Sequence, residues 1–366
     1  MKTIRRLIYV EVAYAVAFVS VGFLALFFFF DFLEELPNLG KGLEAYRLTQ
    51  ALAYVSLRIP NHLYELLPIA VLIGTIFVMA RLAQSSEYTI LRTSGLGPWR
   101  ALRTLVMLGA CFTVVTFAAG DYLAPLADRT AQLLRARMDG GVSIGSTGAW
   151  LKERQKFHSY NVNVRVLTPK GQMDGVRIFE NDARGYLVSI TQAPRGRFEE
   201  GAWLLENAVR TEFPAPSAAA ARVERIQLPQ LRWPTEISQE MVSVALLKPD
   251  RMSTIALFQY IRHLEANSQT SQRYEIEFWR KVFYPLSCMV MVVLALPFAY
   301  LHFRSGGITS YVFGGVLIGI SFFMLNNVFG YIGNLQNWQP WLAAGAPGLI
   351  YTVLSLTAFT FLVLRR

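Results

Sequence analysis

Arg81-Leu82-Ala83-Gln84-Ser85-Ser86-Glu87-Tyr88-Thr89-Ile90-Leu91-Arg92-Thr93-Ser94-Gly95 is a short charged insert between two long apolar runs. Ser85 and Ser86 stand where N-caps belong, and Glu87 falls in the first turn, where the helix dipole favours an anion. Gly95 can close the C-terminus before Gly97-Pro98 opens the next element. The pattern predicts a helix of roughly two to three turns. It carries Ala83, Glu87, Ile90 and Ser94 along one side and has little apolar surface of its own. Two readings fit these residues: a solvated loop helix with Glu87 as its capping acid, or a docking element for a partner.

The runs on either side decide what kind of chain carries it. Tyr9 to Phe30 is apolar apart from Glu11, and a helix of that length crosses a hydrocarbon layer of about 30 Å. Further runs lie at Ile59 to Ala80, Ala101 to Ala124, Phe283 to Phe303, Ile308 to Gly330 and Trp341 to Leu364, which predicts a membrane protein of six spans. The composition agrees, with 53% hydrophobic and 16% charged residues among 366. The first apolar run is too long for a cleaved signal peptide and no small-x-small site follows it, so it is expected to stay as span one.

Between spans three and four, residues 125–271 are polar, charged and rich in Gly and Pro, without the ~20 consecutive apolar residues a span needs. The expected organisation is therefore 1–124 with three spans and the small helix near 84–95, 125–271 as a separate soluble domain, and 272–366 with three more spans. Three spans, a domain and three spans hint at a duplicated membrane half, although no residue-level repeat supports it.

Charge sets the expected orientation. Lys2, Arg5, Arg6, Arg81, Arg92, Arg100, Arg103, Arg304, Arg365 and Arg366 fall on one side with Glu87 as the single acid, which makes that side cytoplasmic. Both termini are then inside and the soluble domain outside. The formal charge of +10 reads as topology rather than nucleic-acid binding.

The inserted domain reads as β. Runs such as 160–166, 176–179 and 203–205 alternate or continue in apolar residues and are separated by Pro169-Lys170-Gly171, Asp182-Ala183-Arg184-Gly185 and Pro194-Arg195-Gly196. Such spacing suggests a sandwich or an open jelly roll, whose apolar face is either a packed core or a groove for acyl chains. The two cysteines, Cys111 and Cys288, both fall in spans, so this domain has no disulfide to lean on. A helical return over Ser253 to Arg273 leads back to span four.

Few motifs point to chemistry within the chain. Gly141-Val142-Ser143-Ile144-Gly145 matches the nucleophile-elbow pattern, yet it lacks the strand before and the helix after that aim such a serine. His62, His158, His263 and His302 are scattered without metal-ligand spacing, so no metal site and no catalytic residue is expected. No G-x-x-x-x-G-K-[ST] loop occurs, so ATP, with its magnesium, must be used by another polypeptide; no cofactor is expected in this chain. Within the spans, Glu65 and Asp121 either face a cavity or pair with a neighbouring helix. Gly306, Gly307, Gly314, Gly315 and Gly319 give span five a small-residue seam, for static packing or for a moving contact.

Leu82-Ala83-Gln84 with Glu87 and Ser94-Gly95, Asp121-Tyr122-x-x-Pro125, Arg273-Tyr274, Trp279-x-Lys281-x-x-x-Pro285-Leu286 and Phe329-Gly330, in that order and spacing, resemble the LptF/LptG permeases, the LptG side more than the LptF side. The resemblance covers essentially the whole chain. It implies a permease subunit of an ATP-driven ABC transporter that extracts lipopolysaccharide from the Gram-negative inner membrane and passes it to a periplasmic bridge. It further implies a periplasmic jelly roll, an LptF-like permease partner, an LptB-like ATPase dimer and an LptC-like membrane-anchored bridge protein.

By the same resemblance, Gln84, Glu87, Ile90, Leu91, Arg92, Ser94 and Gly95 form a coupling helix seated in the ATPase, with Glu87 its key acid. Spans one and five form lateral gates. Phe27, Phe30, Glu65, Val316, Gly319 and Phe323 are the candidates for the lipid side of those gates. The family's lysines near the outer end of span one are replaced here by 31–41, so Lys41, Arg47, Arg58, the partner or a bridging cation would take the lipid phosphates. Two rivals are a scaffold that transmits force for an ATPase without moving lipid, and a membrane hydrolase built on Ser143.

Overall fold

A computed structural model describes residues 2–40, 46–95, 97–139, 148–155, 157–168, 171–199, 201–214, 222–238, 241–242, 249–300 and 308–364, the side chains of residues 2–4, 133, 136–139 and 364 excepted. Lys41, the 141–145 elbow with Ser143, His302, Arg304, Gly306, Gly307, Arg365 and Arg366 lie outside the described residues.

Among the described residues six helical segments are long and apolar enough to cross a membrane. The first is α1 (Lys2–Glu35) and the second α2 (Leu48–Gln84). The short α3 (Glu87–Thr93) follows, then α4 (Pro98–Ala118), which runs through a π-helical turn at Ala119–Leu123 into α5 (Ala124–Asp139). After the β insert and α6 (Thr254–Ala266), α7 (Gln272–Phe283) and α8 (Ser287–Ala295) make the fourth span. The last two are α9 (Ile308–Leu335) and α10 (Pro340–Phe359).

The chain divides into two compact units, one of Met1–Glu34, Val55–Ala127 and Gln272–Arg366, the other of Glu35–Tyr54 and Asp128–Ser271. In the first unit α2 is the axle: 78% of its apolar window is buried, against 17% for α1 and 17% for α9. Its buried Leu67, Val71, Leu72, Ile76 and Met79 pack with Ile8, Val12 and Val16 of α1 and with Cys288, Met291 and Val292 of α8. Glycines allow the closest approaches. A Cβ on Gly74 would lie 2.8 Å from the Val16 amide nitrogen, and one on Gly319 would lie 2.7 Å from the Ile69 side chain.

The second unit holds one six-stranded antiparallel sheet, β1 (Ala149–Arg154), β2 (His158–Leu167), β3 (Met173–Asp182), β4 (Leu187–Glu199), β5 (Ala202–Glu212) and β6 (Glu224–Pro234), with the strands side by side in chain order. Register stacks Ala149, Val164, Val176 and Ala193 in one row and Leu151, Val162, Ile178 and Thr191 in the next row of the same face. All eight are buried, so the apolar face is a packed core. Ile237 and Val242, beyond the last strand, join that core, and Trp203 donates its indole N–H to the Ile237 carbonyl at 2.7 Å.

One turn expectation is corrected. Pro194-Arg195-Gly196 lies inside β4 rather than between strands, and the hairpin closes later, at Gly201, whose φ is +73°. The missing proline amide is tolerated because the β4–β5 ladder skips there, opposite Asn207 with a left-handed φ of +51°. Asp182-Ala183-Arg184-Gly185 does form a tight turn, in which Asp182 Oδ1 accepts from the amides of Arg184 and Tyr186.

Candidate functional site

The insert quoted at the outset folds as α3, joined to α2 by Ser85 and Ser86 alone. The serine caps expected from sequence do not form. Ser86 holds the N-cap position with a left-handed φ of +60° and makes no side-chain bond to the helix, while Ser85 Oγ turns back to the Arg81 carbonyl at 3.1 Å. The C-terminal end is as the glycine suggests: Gly95 has φ +99°, and Arg100 Nη1 donates to its carbonyl at 3.0 Å.

The helix also has an anchor that the sequence pattern did not reveal. Tyr88 is buried and meets the Tyr300 ring edge-on at 5.2 Å, Arg92 lies over that ring at 5.4 Å, and Leu91 packs on the bundle core. Burial, then the neighbouring Tyr300, holds the Tyr88 phenol above the ordinary tyrosine range, so the ring stays neutral. The spacing of Tyr88 and Leu91, three residues apart, is the signal that could have found this anchor. On the other side Gln84, Glu87, Ile90 and Ser94 are exposed, Ile90 by 62%. α3 is thus fixed along one face, with an acid and an aliphatic side chain turned outward.

The gate candidates divide. Phe27 lies against His62 with the rings tilted and centroids 4.9 Å apart, and shares with Val316 a small cluster centred on Leu66, Ile69 and Ile73 of α2. Gly319 fits against Ile69 in the same place. Phe30 and Phe323 are exposed, outside that cluster. Glu65 accepts from Asn61 Nδ2 at 2.9 Å, and its carbonyl accepts from the Tyr284 hydroxyl. Pro68, which lacks an amide, interrupts the helix ladder one turn away.

Of the basic candidates, Arg47 is exposed. Arg58 is engaged: its guanidinium lies 3.2 Å from Asp31 Oδ1, and His62 Nε2 is 2.7 Å from Asp31 Oδ2. Asp31 is the buried hub of that group.

Family-motif residues converge elsewhere in the first unit. The Lys281 ammonium donates to the Gly120 carbonyl at 3.1 Å, an acceptor placed by the π turn, and lies 5.7 Å from the centre of the Tyr64 ring. Arg280 donates to the Asn326 carbonyl at 2.6 Å and pairs with Glu277 at 3.0 Å. Gly330 lies beside it, where a Cβ would come within 2.7 Å of the guanidinium and push that flexible side chain aside. These residues tie α2, α4, α7 and α9 together inside the bundle.

Six apolar helical segments, an inserted antiparallel sheet and a short span-linking helix with an anchored and an exposed face define a multi-pass membrane protein. The family model described as Lipopolysaccharide export system permease LptF/LptG matches residues 6–362, and the chain belongs to that family. It is 26% identical over 329 residues to the Lipopolysaccharide export system permease protein LptG of Escherichia coli (strain K12), covering 89% of each chain. It is likewise 26% identical over 329 residues to the protein of that name from Haemophilus influenzae, covering 88% of each.

Proposed function

We propose that this chain is the LptG-type permease subunit of an ATP-driven exporter that lifts lipopolysaccharide out of the inner membrane and hands it to a periplasmic bridge. The observation that carries this reading is α3, with Tyr88 and Leu91 locked to the bundle and Glu87, Ile90 and Ser94 exposed. A helix built so passes a push on its free face into the core rather than bending away. The two-residue link to α2 delivers that push to the buried axle.

The chain has no phosphate-binding loop, so the push comes from a separate ATPase dimer, which uses the ATP and magnesium. An LptF-like subunit completes the cavity, and an LptC-like protein receives the lipid. The termini and α3 face the cytoplasm, and the β unit stands in the periplasm, by the charge asymmetry of the connections. Spans one and five gate the cavity, and closing the ATPase narrows it.

The test is reconstitution of the chain with its ATPase and partner subunits in vesicles loaded with lipopolysaccharide. Lipid leaving the vesicles only when ATP and the ATPase are both present is the expected result. ATP hydrolysis with no lipid bound or released would instead make the chain a scaffold that transmits force.

A further inference from the structure

Along a seam that Ile8, Val12, Val19, Phe23 and Phe27 also line, α1 meets α2 at three distinctive contacts in antiparallel order. Glu11 pairs with Arg81, Val16 meets Gly74, and Asp31 meets both Arg58 and His62. Each step forward along α1 is matched by a step back along α2, so the three contacts lie along a single crossing.

Their chemistry differs. At the middle contact the Gly74 backbone has only hydrogen facing Val16, and a Cβ would come within 2.8 Å of the Val16 nitrogen and 2.9 Å of its Cγ2. The two backbones come close here, with the buried Val12 and Val16 packed beside the contact, so this point moves least when either end of α1 shifts. The outer contact is a buried carboxylate held by a guanidinium and an imidazole, capped by the Phe27 ring. The inner contact is half-exposed, Arg81 by 42% and Glu11 by 33% at the side chain, and lies four residues from the first residue after Gln84.

We infer that α1 is a rocker. Gly74 and Val16 are its fulcrum, Glu11 and Arg81 form the handle through which motion of α3 reaches it, and the Asp31–Arg58–His62 group is the latch it opens. Arg81 is the natural entry point because it lies in the last turn of α2, before Ser85-Ser86, and Ser85 Oγ is bonded to its carbonyl. With a rise of about 1.5 Å per residue, the handle stands about 7.5 Å from the fulcrum along α1 and the latch about 22 Å. A small displacement at the handle is therefore amplified roughly threefold at the latch. Glu11, the one acid in an otherwise apolar run, is there the partner of Arg81. Glu11 and Arg81 are positioning residues that act through α1.

This inference rests on the export reading, and the experiment separates the two. The complete exporter, with the ATPase and partner subunits, is reconstituted in lipopolysaccharide vesicles in a background lacking Cys111 and Cys288. Spin labels at Leu33 and Tyr331, both exposed, report the outer ends of α1 and α9. Wild-type complexes are expected to release lipid and change the label distance when ATP is added. E11Q is expected to keep ATP hydrolysis, lose the distance change and lower release roughly tenfold. The exchange E11R with R81E is expected to restore both. Release or label motion in E11Q equal to wild type overturns the rocker, as does reduced release with label motion intact, or an exchange no better than E11Q. Wild-type complexes that release no lipid with ATP refute the export reading, and the rocker with it.

Discussion

α1 and α2 have nearly the same mean hydropathy, 2.4 and 2.2, and opposite fates: α2 is buried over 78% of its apolar window and α1 over 17%. Hydropathy reports that a segment can leave water, but lipid and protein interior are equally apolar, so it does not say which of the two receives it. What separates the pair is fine structure. α2 carries Gly74 for close approach, Pro60 and Pro68, and polar groups with partners at both ends; α1 has one buried stripe, Ile8, Val12 and Val16, and aromatic residues turned outward. The helix that is held firmly is suited to carry load, and the one held at a few points is suited to move.

Breaking this contrast is straightforward. Leu72 of α2 is fully buried, and Leu72→Ala is expected to destabilise the purified chain by about 2–5 kcal/mol, whereas Leu26→Ala on the exposed side of α1 should fall within about 0.5 kcal/mol. Denaturant unfolding in detergent, reported by tryptophan fluorescence, would show it; equal losses would mean that α1 is as firmly packed as α2. Gly74→Leu should cost about 1–3 kcal/mol by forcing α1 off the crossing, and an α1–α2 distance measurement should show the displacement. Glu11→Gln, at a half-exposed pair, should change stability by only about 0–1 kcal/mol, so any loss of transport in that variant is not loss of fold.

The second unit offers a separate check. His263 has its pKa lowered, by burial first, against raising contributions from Glu153 and Glu236. The unfolded chain therefore takes up a proton near the ordinary value of 6.5, before the folded one does. Stability of this unit should be full above that pH and fall as pH drops through it, with His263→Gln flattening the dependence. Unfolding of the intact chain followed by a probe at Trp203 across this range is the check, with no such slope expected from Leu72.

Spans, the β insert and the short helix were all readable in the sequence, because membrane length, strand alternation and breaker residues are local signals. The site was readable only in outline. Glu87, Ile90 and Ser94 are adjacent in a helix whatever surrounds it, but Tyr88 becomes an anchor only when Tyr300, far along the chain, arrives beside it. Arg58 read as a candidate for lipid phosphates and His62 as one of four scattered histidines until two antiparallel helices bring both to Asp31. Lys281 needed the π turn at Ala119–Leu123 to find its carbonyl, and no residue-level rule announces that turn. The mistaken turn at Pro194 has the same origin, since Asn207, whose left-handed backbone breaks the ladder opposite it, lies on the next strand.

The most direct measurement is ATP-driven lipopolysaccharide release from vesicles carrying the complete exporter with Glu87→Ala in this chain. Glu87 is exposed and outside the bundle core, so the variant should fold and assemble as wild type, hydrolyse ATP, and release lipid roughly tenfold more slowly. Release at the wild-type rate would show that force does not enter through α3, and the account would be wrong.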